Sequence, residues 1–176
     1  MENILINPSD EREILDFRAL GFRDGVVLGR YAYAQARKPL DSHDHERLLE
    51  ICYLADGRQV YEMDGRTYTL EGGDAFLVAP HRVHGTGELP EGKGRLYWLL
   101  LAPPKRRGTY LGLSEEERLQ LWERLIRFAD SRDRPPVVRI GACGDLVLER
   151  VFQVFANEEH PFREAEIRNL ILRFLF

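Results

Sequence analysis

Cysteine is scarce in this chain: Cys52 and Cys143 are the only two among 176 residues. That excludes a small secreted scaffold built on disulfides. Cys52 lies inside an apolar run, where a buried free thiol is expected. Long apolar runs are missing as well. None reaches the roughly 18 residues of a membrane-spanning helix. The first residues, MENILINPSDERE, lack the basic head and apolar centre of a secretory leader. Nor is basic charge in excess, since 25 Lys and Arg face 29 Asp and Glu for a formal net charge of −4. Such a balance advertises no nucleic-acid surface. The one dense basic stretch, KRRG at 105–108, reads as a solvated linker. A cytoplasmic, reduced protein with no membrane partner is expected.

What is present is the composition of a globular protein, 44% hydrophobic and 31% charged, long enough for one full core. Before residue 104 strand signals dominate. VVLGRYAYA (26–34), LLEICYLA (48–55), QVYEM (59–63), TYTL (67–70), DAFLVA (74–79) and RLYWLLLA (95–102) are short and rich in β-branched and aromatic residues. Asp64-Gly65 is a two-residue hairpin signal, and EGGD at 71–74 is another turn. Six strands so spaced predict a sandwich or barrel.

After Pro103-Pro104 the pattern becomes helical. Ser114 with Glu117 three residues on is a capping box, and Leu121, Leu125 and Phe128 recur at helical spacing. Pro135-Pro136 end that helix. A second runs through 144–160, with Leu148, Val151, Phe152 and Phe155 on one face. Pro161 opens a third, whose stripe is Ile167, Leu170, Ile171, Phe174 and Leu175. The final LILRFLF has no C-cap glycine and no polar tail, which reads as a cut inside a longer protein. A helix apolar on more than one side must bury more than one side, so a homodimer through these helices is expected.

Four of the five histidines fall in the strand-rich part. His43 and His45 stand two apart, so on a strand both imidazoles point to one side. Glu50 follows five residues later, which on a straight strand is the wrong parity. A bend around Glu46-Arg47 would place Glu50 on the next strand, sharing a face with Leu48, Cys52 and Leu54. A carboxylate among such neighbours is costly to bury unless paired or bound to a cation. His84 follows a strand that a barrel would bring alongside. Three imidazoles and one carboxylate suit one divalent transition metal, Zn, Ni, Mn or Fe. If no metal binds, the same residues would hydrogen-bond an effector. His81 and His160 read as surface residues.

The spacing His-x-His, four residues, Glu, six residues, Gly57 resembles the first motif of the cupins. GGDAFLVAPHRVH resembles their second through Gly73-Asp74 and His84, with Ala79 where a proline and His81 where a glycine is expected. The resemblance implies a small cupin-like β-barrel (a double-stranded β-helix) with His43, His45, Glu50 and His84 as metal ligands. A narrower resemblance, over roughly 25–176, is to the sensor domain of AraC-type bacterial transcription regulators. It rests on DGRTYTLEGGDAFLVAPHRVH, on YWLLLAPP, and on the order of barrel then helices. It implies a barrel with an N-terminal arm over 1–104 and a helical dimerisation and linker region over 105–176, within one structural unit. In that family helix-turn-helix units read DNA, and none is visible in this sequence.

Trp98 matches the position where a sugar-sensing member of that family stacks an indole on its ligand. Tyr31, Tyr33 and Tyr61 lie on strands and are further candidates for contact with a small-molecule effector, for instance a sugar. The stretch 1–20 is expected as an arm over the barrel mouth. The reading is therefore a non-enzymatic, effector-sensing and dimerisation domain that modulates DNA binding by a domain outside this sequence. The alternative is a metal-dependent cupin enzyme, a dioxygenase or isomerase. Small cupin enzymes usually end soon after the barrel, and no acid or base beyond the ligands stands out.

Overall fold

The computed structural model describes residues 12–20, 22, 27–105 and 110–176. Among the described residues eight strands run in chain order: β1 (Arg12–Asp16), β2 (Val27–Tyr33), β3 (Leu49–Met63), β4 (Arg66–Glu71), β5 (Asp74–Val78), β6 (His84–Gly85), β7 (Gly94–Leu101) and β8 (Val137–Arg139). Three α-helices join them among the described residues, α1 (Glu115–Ala129), α2 (Cys143–Ala156) and α3 (Arg163–Leu175), with a short 3-10 turn at Phe17–Leu20. All pairings are antiparallel, and the ladder runs β1-β2-β7-β3-β5-β8, with β4 and β6 on the far half of β3. Among the described residues that path is open rather than a closed ring.

The two expected strands at 48–55 and 59–63 are one, the fifteen-residue β3. Asp56-Gly57 looks like a break in sequence, but here it is a bulge. The register with β7 shifts between Leu54 and Asp56, and Gly57 takes φ 101°. A Cβ on Gly57 would lie 2.4 Å from the Lys93 carbonyl oxygen, so only glycine lets the strands cross there. The first half of β3 thus pairs with β5 and β7, and the second half with β4 and β6. One strand feeds two sheets.

That arrangement explains the run at 48–54, apolar but for Glu50, every residue of which is buried. Odd positions Leu49, Ile51 and Tyr53 face the helices, in a cluster with Val151 of α2 and Ile171 of α3. Even positions Cys52 and Leu54 face a second cluster with Tyr31, Tyr61 and Phe76, packed between the sheets on an inner face termed the lumen face below. A strand covered on both faces reads as continuous rather than alternating.

The helices are tied down by polar contacts as well as packing. The Tyr53 hydroxyl donates to the Gly141 carbonyl at 2.8 Å and accepts from the Asp145 amide at 3.0 Å, holding the start of α2. Arg95 and Tyr97 on β7 both bond Asp145, at 2.5 and 3.0 Å. The capping box of α1 forms as expected, with Ser114 and Glu117 bonding reciprocally.

Several expectations need correction. The stripe Ile167, Ile171 and Phe174 is buried within the chain, with Leu170 and Leu175 packed beside it, so it does not await a partner. Pro135-Pro136 do not merely end a helix. They lead into β8, and the Leu77 amide donates to the Pro136 carbonyl. Residues 12–16 of the expected arm form the edge strand β1 rather than a lid. Residues 1–11, and 106–108 of the basic stretch, lie outside the described residues. Both cysteines are free thiols, Cys52 buried as expected and Cys143 exposed. No described helix is long and apolar enough to cross a membrane.

Candidate metal centre and lumen

A turn at Glu46-Arg47, closed by the Leu48 amide on the His45 carbonyl at 3.0 Å, resets the chain between the histidine pair and β3. It brings His43, His45 and Glu50 together despite the odd spacing. His84 arrives from the other side. His43 and His84 exchange backbone hydrogen bonds, both 2.9 Å, as an isolated antiparallel bridge. One donor atom from each of His43, His45, Glu50 and His84 lies within 4.8 Å of every other. The imidazole of His84 is 4.4 Å from that of His43 and 5.8 Å from that of His45, centre to centre.

The histidines are oriented from behind. His43 Nδ1 lies 2.9 Å from the Asp41 carbonyl oxygen, and His84 Nδ1 lies 3.1 Å from that of Arg82. A carbonyl only accepts, so each Nδ1 carries the proton and each Nε2 is left as the donor atom. The His84 Nε2 lies 2.6 Å from Glu50 Oε2, and the His45 Nε2 lies 3.4 Å from the same oxygen. Glu50 is only 5% exposed. Burial pushes its carboxyl up, but hydrogen bonds from His45 and His84, with their charge, outweigh this and hold it well below the usual carboxylate range. Burial pushes His84 down, and the Glu50 hydrogen bond and charge reverse the sign. His43 is lowered, chiefly by burial.

These contacts test whether a metal fits. For His84 to serve both the Arg82 carbonyl and the Glu50 carboxylate, both its nitrogens must carry protons. A cation between Nε2 and the carboxylate would replace that second proton and answer the buried negative charge. The donor set of three imidazoles and one carboxylate is that of a borderline divalent ion such as Zn, Ni, Mn or Fe. The residues therefore fit such a group.

The expected aromatic residues share the lumen face but not one spot. Tyr31 and Tyr33 stack at 3.9 Å with planes 8° apart. Trp98 lies 6.3 Å from Tyr31 and is half-buried. It pairs with Cys52, two residues along β3 from Glu50 on the same face. Tyr61 stacks on Phe76 at 5.0 Å and is buried deeper, beside the Cys52 thiol. Burial and the Glu50 charge push that thiol well up, so Cys52 stays protonated. His81 is exposed and outside the cluster, and its φ of 63° is the left-handed geometry a glycine would take without strain. His160 lies elsewhere, 2.9 Å from Glu166.

Three lumen residues escaped the sequence reading. Gly29 makes room for Trp98, since a Cβ there would fall 2.0 Å from the indole. Its signal was legible, a glycine at a lumen-facing position of β2. Arg12 and Glu91 carried no local signal, because their place depends on how β1 and the loop before β7 return to the sheet. Arg12 sits 5.6 Å over the Trp98 ring and 3.4 Å from Glu91.

A family model described as AraC-like ligand binding domain matches residues 25–135. Among solved structures, an RmlC-like cupin from Shewanella frigidimarina is 25% identical over 55% of this chain and 77% of its own, with a TM-score of 0.39. A cupin protein from Bacteroides fragilis is 15% identical over 65% of this chain and 97% of its own, with a TM-score of 0.43. KdgF from Halomonas sp. is 25% identical over 54% and 79%, with a TM-score of 0.36. No curated protein matches the chain. The expected cupin-like β unit with C-terminal helices stands, with its sheet open.

Proposed function

Because the chain belongs to the AraC-like ligand binding domain family, we propose that it is the effector-sensing and dimerisation part of a cytoplasmic AraC-type transcription regulator. A small molecule enters the lumen and biases DNA binding by helix-turn-helix units outside these 176 residues. The observation that carries this reading is the shared inner face: an indole, stacked phenols and a four-residue metal-type cluster lie on it. His43, His45, Glu50 and His84 would hold one divalent ion. Bound there, it would supply a fixed positive charge and a Lewis-acidic anchor for an effector oxygen. Trp98 supplies a flat apolar face, and Gly29 holds that face in place. The outer face of the same sheet carries α2 and α3, so a change in the lumen strands reaches the helices through β3 and β7.

The metal-dependent enzyme remains the competing reading, and one experiment separates the two. A small molecule that binds this chain should be recovered chemically unchanged after prolonged incubation, as read by NMR. Turnover would favour the enzyme. Calorimetry with the same molecule should show Trp98→Ala weakening binding by about 1 kcal/mol. Equal affinity in parent and variant would move the site out of the lumen.

Ile167, Ile171 and Phe174 of α3 are covered within the chain, so the proposed dimer draws on other apolar residues of the helices. Leu146 of α2, Phe162 at the start of α3 and Phe176 at its end are 74%, 71% and 74% exposed, and they are the most exposed large apolar side chains of the helical region among the described residues. Light scattering across a concentration series should show a dimer, and Leu146→Glu should shift it toward monomer. A folded parent that stays monomeric at every concentration would refute the pairing.

A further inference from the structure

Tyr31 is 2% exposed, and its hydroxyl has no hydrogen-bond partner among the described residues. A phenylalanine would fill the same place with nothing left unpaired, and an orphaned buried hydroxyl costs stability. Its stacked neighbour Tyr33 is served, accepting from Arg12 Nε at 2.9 Å. Arg12 itself is only partly engaged. Its Nη2 reaches both Glu91 oxygens at 3.4 Å, long for a charge-assisted bond, and its Nη1 bonds nothing among the described residues. The same guanidinium lies 6.0 Å from the centre of the Tyr31 ring and 5.6 Å from that of Trp98. Burial, then the nearby Glu91 charge, keeps the Tyr31 phenol protonated and hence a donor. Two donors with spare capacity therefore stand beside an aromatic face, at the β1 and β2 side of the lumen.

We propose that this corner recognises a small ring-bearing carboxylate, its carboxylate on Arg12 and the Tyr31 hydroxyl and its ring against Trp98. A carboxylate offers two acceptor oxygens, which matches a guanidinium fork and a phenol better than a neutral hydroxyl does. Arg12 would keep its long contacts to Glu91 and turn its free Nη1 to the ligand. Tyr31 would gain the partner it lacks. The assignment rests on the lumen being the effector site, and it names the chemical class of that effector.

Calorimetry on the purified chain would use four probes: galacturonate and benzoate, with galactose and benzyl alcohol as their uncharged counterparts. At least one acid should bind about tenfold tighter than its counterpart, the scale of a charged hydrogen bond. Galacturonate alone would mark a sugar acid, and benzoate alone an aromatic one. Arg12→Ala should abolish the preference for the acid. Tyr31→Phe should weaken the acid by about threefold or more while raising the Tm of the free protein by about 2–4 °C, since it removes an unsatisfied group. A merely structural tyrosine would not give those opposite signs. Failure of both acids to bind, or a preference unchanged by Arg12→Ala, overturns the assignment. So does a preference lost in His45→Ala but kept in Arg12→Ala, which would put the carboxylate at the histidine cluster. A neutral probe that binds through Trp98 while the acids fail sinks this assignment and leaves the sensor reading standing. Binding indifferent to Trp98→Ala removes both.

Discussion

Glu50→Gln protein, purified without chelator, should carry about a tenth of an equivalent of transition metal or less, against about one equivalent in the parent, because the one anionic ligand has been lost. Glutamine keeps the shape and most of the packing of glutamate. What it removes is charge, at a residue 5% exposed whose oxygen sits 2.6 Å from His84 and 3.4 Å from His45. A neutral amide cannot compensate a divalent ion in a buried site. Elemental analysis of both proteins, grown with Zn, Ni, Mn and Fe supplied, decides the matter. A parent that holds no metal under those conditions would instead leave the three histidines and Glu50 as hydrogen-bonding groups for an effector. Metal retained in Glu50→Gln but lost in His45→Ala would remove Glu50 from the ligand set.

Gly29→Ala should be destabilising even though alanine is ordinarily the better residue in a strand. Replacing glycine gains about 0.5–1 kcal/mol from backbone entropy. Against it, the added Cβ would stand 2.0 and 2.1 Å from two atoms of the Trp98 ring system. The indole must swing off β2, and overpacking of that kind costs about 1–3 kcal/mol. The clash wins, and a net loss of about 1–2 kcal/mol follows from the difference. The displaced indole should also expose more of itself to water, which red-shifts its fluorescence. Trp122 emits too, so the comparison belongs in a Trp122→Phe background. Unchanged denaturation and unchanged Trp98 emission would show that the indole does not rest on Gly29.

Short-range patterns were legible to the extent that local chemistry settles them. The capping box at Ser114 and Glu117, the hairpin at Asp64-Gly65 and most strand cores follow from residues within a few positions of each other. The near part of the four-residue cluster belongs here as well, whereas His84 joins it from a distant segment through its bridge to His43. His43 and His45 share a face by parity alone, and the odd step to Glu50 announces a turn, which the structure places at Glu46-Arg47. Arg12 and Glu91 were invisible because no local rule says where an edge strand or a loop will return. The edge strand β1, the two-residue β6 and the three-residue β8 were missed for the same cause: each exists through pairing with a distant segment.

By itself, the sequence determined which residues alternate, cap, turn and offer ligand atoms, since those depend on backbone period and side-chain chemistry close by. Only the tertiary structure decided what each face meets. Gly57 reads locally as a strand end, yet its positive φ and the close Lys93 carbonyl make it the crossing at which β3 passes from one sheet to the other. The α3 stripe reads locally as a surface in search of a partner, yet Ile167, Ile171 and Phe174 meet the back of the sheet. A hydrophobic pattern records that a face must be buried and carries no information about what buries it, because apolar burial is non-directional.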